Sequence, residues 1–239
     1  MSTSSLSFNR ITAVGCGSLS SALSGSSALK ELHLSNNNLM DQGAIRISDL
    51  LRNPQCRLKI LSGSSALKEL DLSFNNLMDQ GAIRISDLLR NPQCRLKILR
   101  LELLFSHRLS CINNTVLPDR LARCHFTKRG CAALASSLKS NPAHLRVLDL
   151  AQNKLQDGDV ENLSLFLAEP LCQLETLDLN SCTLNVACLR SLTLAFSGSS
   201  ALKELDLSYN RLMDEGAILL SDFSLSDSDC SATGTEFRM

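Results

Sequence analysis

The phrase L-x-x-L-x-L-x-x-N-x-L occurs five times in this chain, and no other feature restricts its possible folds so tightly. It runs over Leu29–Leu39, Leu67–Leu77, Leu145–Leu155, Leu174–Leu184 and Leu202–Leu212, with Cys182 in the Asn position of the fourth copy. Two damaged copies lie at Leu6–Ile11 around Asn9 and at Leu121–Phe126 around Cys124. Alternating leucines place their side chains on one face of a strand and the intervening residues on the other. Beyond the Asn position the period changes. Counting from Gly43, apolar residues fall at Ala44, Ile47 and Leu51, and the same offsets give Ala82, Ile85 and Leu89. A switch from period 2 to period 3.6 predicts a strand followed by a helix. Asn53-Pro54, Asn91-Pro92 and Asn141-Pro142 stop three of those helices and turn the chain back.

The Asn/Cys slots are Asn9, Asn37, Asn75, Cys124, Asn153, Cys182 and Asn210, at successive spacings of 28, 38, 49, 29, 29 and 28. The regular spacing is therefore 28 or 29, and two intervals are irregular. The interval of 49 is expected to hold an irregular insert over residues 102–121. The interval of 38 is expected to be two units, one having lost most of its body near residues 57–66, where RLKIL runs straight into SGSSALKEL. Ser24–Leu61 recurs as Ser62–Leu99 with two changes, His33 against Asp71 and Asn36 against Phe74. The division expected is repeats over 1–101, the insert, repeats over 122–223, and a disordered tail over 224–239.

A lone unit cannot bury its leucines, so the units must stack. The fold class expected is α/β: a horseshoe solenoid with a parallel concave sheet inside and helices outside. Each buried Leu stabilises it by ~1.5–3 kcal/mol. The slot residues are expected to be structural, their side chains satisfying loop backbone groups that would otherwise cost ~1–3 kcal/mol each.

The chain's phrases NPQCRLKIL, ALKELDLSFNNLMDQGA and TKRGCAALASSL resemble leucine-rich repeats of the ribonuclease-inhibitor-like class. They are more specifically similar to the repeat regions of NACHT-containing NLR innate-immune receptors, over residues 6–101 and 122–223. The resemblance implies a curved ligand-sensing or autoinhibitory surface. In such receptors nucleotide belongs to a NACHT module with a P-loop, and no G-x-x-x-x-G-K-[ST] occurs here, so nucleotide binding is not expected in this chain.

Binding chemistry is expected on the outward strand positions. These carry Glu31 and His33, Glu69 and Asp71, Asp149, Asp178, and Glu204 and Asp206. Strands ~4.8 Å apart would stack the acids into a column. Like charges stacked this way are mildly destabilising, and the column invites a basic protein partner. Lys+Arg and Asp+Glu are both 24, which removes the electrostatic case for nucleic acid or a membrane surface.

The ten cysteines could form a secreted disulfide framework, but MSTSSLSFNR lacks a signal-peptide pattern and several cysteines sit inside apolar repeats. A reduced, cytoplasmic chain is the better reading. Cys56, Cys94 and Cys172 share one slot before a strand and are expected to form a buried column. Cys124-His125 lacks the companions a metal site needs, and no nucleophile–base pair or phosphate loop stands out. The expectation is a protein-binding module without catalytic, cofactor or metal residues, most simply the repeat region of an NLR-like sensor. The alternatives are a ribonuclease-inhibitor-like protein that caps a basic partner, a truncated or misassembled product, and, least favoured, an enzyme.

Overall fold

The computed structural model describes residues 2–24, 29–53, 67–92, 94–102, 128–196, 201–226 and 236–238. Strands and helices alternate in chain order as β1 (Ser2–Ser5), α1 (Ala13–Ser24), β2 (Leu29–His33) and α2 (Met40–Arg52). Next come β3 (Glu69–Asp71), α3 (Asp79–Leu89), β4 (Ile98–Arg100), α4 (Lys128–Ser140), β5 (Val147–Asp149) and α5 (Asp157–Leu167). The last are β6 (Thr176–Asp178), α6 (Val186–Phe196), β7 (Glu204–Asp206), α7 (Met213–Ser226) and β8 (Glu236–Arg238). The strands form one parallel sheet in sequential order, and each helix packs on the next. This is the expected α/β solenoid.

One leucine from each of β2–β7 is held in register across the sheet: Leu32, Leu70, Leu99, Leu148, Leu177 and Leu205, each no more than 1% exposed. The helical apolar positions meet them from the other side, with Ile47, Leu51, Ile85 and Leu89 all buried. Parallel strands need a long crossover, and the helix of each unit supplies it.

The register corrects the counting of units. Each of those six leucines is the direct neighbour of the next, although their spacings along the chain are 38, 29, 49, 29 and 28. The interval of 38 is thus one lengthened unit, not two units with one gutted; RLKIL and residues 57–66 lie outside the described residues. The spacing of 49 from Leu99 to Leu148 is likewise one unit, with strand β4 and helix α4. Its extra length falls between residues 102 and 128, so the damaged copy around Cys124 adds no strand between β4 and β5. Cys124 itself lies outside the described residues, as does most of the expected insert. The tail also departs from expectation: α7 reaches Ser226, and residues 236–238 pair with β7 as β8.

The slot residues stitch neighbouring loops together. Asn75 Nδ2 donates to the carbonyls of Leu34, Leu72 and Ser73 at 2.7–3.1 Å, while its Oδ1 accepts the Leu39 amide at 3.3 Å. Asn37 repeats this with Leu6, Leu34 and Ser35, and its Oδ1 takes the amides of Asn9 and Ile11. Asn210 donates to Leu179, Leu207 and Ser208. Asn153 donates to Leu101, Leu150 and Ala151. Cys182 substitutes with one weak donor, its Sγ 3.2 Å from the Leu150 carbonyl. At the first unit Asn9 is exposed and its side chain turns back to the Ser7 carbonyl. The residue before the slot is left-handed at Phe8, Asn36, Phe74, Gln152, Ser181 and Tyr209, with φ between 53° and 62°. That conformation costs a non-glycine residue ~1–2 kcal/mol, offset by the bonds the turned-in slot residue makes.

Candidate functional site

The exposed face of the sheet carries two rows of residues set by the register. One runs His33, Asp71, Arg100, Asp149, Asp178 and Asp206, and the register partner of Asp206 on β8 is Arg238. The other runs Glu31, Glu69, Ile98, Val147, Thr176 and Glu204. The sheet therefore brings all eight acid and histidine candidates onto one face, though not into one acidic column. Arg100 stands in the middle of the acids.

The rows divide into two clusters. At the first, His33 lies 3.8 Å from Asp71 Oδ2 and 3.9 Å from carboxylate oxygens of both Glu31 and Glu69. Thr3 Oγ1 donates to Glu31 at 2.6 Å, and Arg100 is paired with Glu69. Glu31, His33 and Glu69 have the spacing to hold a cation, the one such group among the described residues. Arg100 already neutralises Glu69, so the cluster finds its positive charge within the chain.

The second cluster is Asp149, Asp178, Asp206 and Glu204. With Arg100 and Thr176 they line a hollow of about 630 Å³, its solvent-open space included. Each Asp accepts the backbone amide two residues ahead: Ala151 to Asp149 at 3.0 Å, Asn180 to Asp178 at 2.8 Å and Ser208 to Asp206 at 2.8 Å. That bond orients one oxygen toward the loop and holds the carboxylate in place. The Asp149 carboxyl is pushed up to about 6, chiefly by burial and further by the Asp178 and Asp71 charges; the Ala151 amide and Arg100 act the other way. A carboxylate raised in this way is one that a further cation would favour.

Two features of this surface escape the leucine count. β4 has the strand spacing Leu96, Leu99, Leu101, but the residue three past Leu101 is Leu104 rather than Asn, so the full phrase fails there and Arg100 goes unnoticed. A row of cations also borders the acids where the strands begin. Lys30, Lys68, Lys97 and Arg146 follow one another through backbone bonds of 2.7–2.8 Å. Burial lowers the Lys68 and Lys97 pKa values, and neighbouring cations lower them further. Glu175 interrupts the row, pairing with Arg146 at 3.3 Å and Lys203 at 2.8 Å.

The buried thiols are structural. Cys94 and Cys172 are both buried, as their shared slot predicts, and Cys56 lies outside the described residues. Six cysteines are free among the described residues and all are buried. Burial raises every one of them, Cys94 to about 11 and Cys131 to about 12.

Comparison with known proteins agrees with this geometry. The family model "Leucine Rich repeat" matches residues 25–48, 63–86, 141–164 and 198–221, each taking in a strand or its approach and the following half-helix. The chain is 33% identical over 234 residues to human "NACHT, LRR and PYD domains-containing protein 14", covering 89% of this chain and 19% of that protein. It is 30% identical over 211 residues to the "Ribonuclease inhibitor" of Sus scrofa, covering 88% of this chain and 46% of that protein. The chain carries leucine-rich repeats similar to those of ribonuclease inhibitors. It spans about a fifth of the NACHT-containing relatives and just under half of the ribonuclease inhibitors. Among solved structures, "Leiomodin-1 Actin-Binding Site 2 (ABS2)" superposes with a TM-score of 0.48 at 19% identity, over 70% of this chain and 81% of that one.

Proposed function

We propose that the concave sheet docks a basic protein surface, and that the chain acts as the repeat region of a cytoplasmic sensor of the NACHT–LRR kind. The observation that supports this most is the hollow at β5–β7. Asp149, Asp178 and Asp206 stand on adjacent strands in register, and the Asp149 carboxyl is raised by burial and by its acidic neighbours. A lysine or arginine entering there would relieve the repulsion and replace water around a partly desolvated carboxylate. Arg100 narrows the acidic surface to this half of the sheet, so the partner's cations would be read by β5–β7 and not by the whole column. A nucleic-acid phosphate or an anionic membrane would meet repulsion at the same place. No helix among the described residues is long and apolar enough to cross a membrane. Free buried thiols suit a reducing compartment.

The likeness to ribonuclease inhibitors supports a second reading, in which the basic partner is a ribonuclease. One titration separates the two. Pancreatic ribonuclease, lysozyme and an uncharged protein control are titrated calorimetrically into the chain and into its Asp149→Lys/Asp178→Lys/Asp206→Lys variant. Capture of ribonuclease over lysozyme, lost in the variant, would favour the inhibitor reading. Capture of both basic proteins, again lost in the variant, would favour a broader sensor surface. Equal binding by the variant would sink both.

A further inference from the structure

The position after the first buried leucine of each unit is charged throughout the stack from β2 to β7. Lys30, Lys68, Lys97, Arg146, Glu175 and Lys203 follow Leu29, Leu67, Leu96, Leu145, Leu174 and Leu202. Backbone bonds of 2.7–2.8 Å join each of these residues to the next, so they stand in one row across the sheet. Glu175 is the acid in a row of cations, and it shows how the row holds a carboxylate. Its two oxygens meet Arg146 at 3.3 Å and Lys203 at 2.8 Å, bridging the cations on either side. The Lys203 ammonium donates to it and holds its carboxyl below the usual range.

The other half of the row has no such bridge. Among the described residues no carboxylate pairs with Lys30, Lys68 or Lys97. Arg95, exposed in the loop before β4, adds a further cation whose charge acts on Lys68, Lys97 and the buried His144. Strands ~4.8 Å apart hold these like charges close, which is mildly destabilising. Burial, and then the neighbouring cations, depress the Lys68 and Lys97 ammonium groups. An arriving carboxylate would relieve the repulsion.

The row is not an end of the stack. β2, β3 and β4 each have a strand on both sides, so further repeats would lengthen the row without covering it. Residues 25–28 and 54–66, which lead into Lys30 and Lys68, contain no acid. Outside the described residues the acids are Asp119, Asp227 and Asp229, which provide no three at alternate positions. Glu31 and Glu69 directly follow Lys30 and Lys68, so the cationic strip is narrow and bordered by acid. A nucleic-acid duplex, charged on every side, would press on that border, whereas a segment charged along one edge would not.

We propose that Lys30, Lys68, Lys97 and Arg146, with Arg95 beside them, dock an extended acidic segment of a protein partner. Its carboxylates bridge cations on adjacent strands as Glu175 bridges Arg146 and Lys203. Three acids at alternate positions of an extended segment span about 14 Å, which is also the width of four strands. This row is separate from the acidic hollow and does not depend on what that hollow binds.

The probe is a fluorescein-labelled octapeptide of alternating Glu and Ser, titrated into the full chain by fluorescence anisotropy. Binding is expected to saturate at low salt and to weaken as salt is added. The matching Gln-Ser peptide should not bind. Lys68→Gln/Lys97→Gln, which keeps most of each aliphatic stem, should weaken binding roughly tenfold. Lys139→Gln, exposed on α4, should leave it unchanged. Lysine acetylation of the unaltered chain gives a second readout: the peptide should protect Lys30, Lys68 and Lys97 and leave Lys139 reactive. Binding that survives Lys68→Gln/Lys97→Gln, or an absence of saturable binding with no protection, would overturn the proposal. Protection of these lysines before any peptide is added would overturn it too, because the chain would then cover its own row. Oligothymidylate binding more tightly than the peptide, through the same lysines, would replace the protein partner with a nucleic acid.

Discussion

Asp149 and Arg100 are register partners on β5 and β4, and the cation lowers the carboxyl's pKa without overcoming the effects that raise it. Burial, with Asp178 and Asp71, still lifts Asp149 from 3.8 to about 6. Because the folded value lies above the unfolded one, the native state holds this proton more tightly. The resulting stabilisation is full below about pH 4 and is lost as the pH rises through about 6. Asp149→Asn keeps the acceptor for the Ala151 amide and removes the charge. It should stabilise the chain by about 1–2 kcal/mol at pH 7.5, the full shift being discounted for partial solvent screening, and by almost nothing at pH 4. Urea denaturation at the two pH values measures this. A gain of equal size at both would show that charge is not the cause.

Asn75 is buried and makes four hydrogen bonds to loop backbone on two units. Asn75→Ala should cost about 2–4 kcal/mol, because it strands buried carbonyls as well as removing bonds. Asn210→Ala, at a half-buried site, should cost less in the same denaturation series. Equal losses would argue against burial as the source of the penalty.

Gly81→Ala places a methyl group against Asp41 and should destabilise by roughly 1–3 kcal/mol. Asp41→Ala removes the Oδ1 that accepts the Met78 and Gly81 amides at 2.8 Å each, at the start of α3. In a double-mutant cycle the two losses should sum to more than the double variant shows, since both break one contact. Additive losses would mean that the glycine serves only its own helix.

The described cysteines should resist modification in the folded chain. Burial raises Cys94 to about 11 and Cys188 to about 11, so thiolate is scarce at neutral pH. Mass spectrometry after brief iodoacetamide treatment should find Cys16, Cys94, Cys131, Cys172, Cys182 and Cys188 unlabelled until denaturant is added. Rapid native labelling at Cys94 would contradict the burial.

Three matching aspartates show how far short-range pattern can be read. Asp41, Asp79 and Asp214 occupy matching positions in three repeated phrases, so their equivalence is visible in the letters. Asp41 and Asp79 accept amides of the following helix, at Gly81 and Gly130, while Asp214 is exposed, and that difference depends on what is stacked beside each one. The same holds at the slots: Asn37 and Asn75 announce a buried amide, yet their bonds to the neighbouring loop join positions far apart in the chain and belong to pairs of units.

By itself the sequence determined the unit, because leucine alternation and the change to helical spacing act over short stretches, where backbone geometry dictates which side chains share a face. It also determined that Glu31, His33, Glu69, Asp71, Asp149, Asp178, Glu204 and Asp206 would share the open side of a sheet. The tertiary structure alone decided which strands are neighbours across the two irregular intervals. Loop length has little effect on a stack held by leucines, so spacing could not distinguish a lengthened unit from a lost one. That decision set β4 between β3 and β5. It turned a supposed acidic column into two clusters separated by Arg100, and left the acidic hollow at β5–β7.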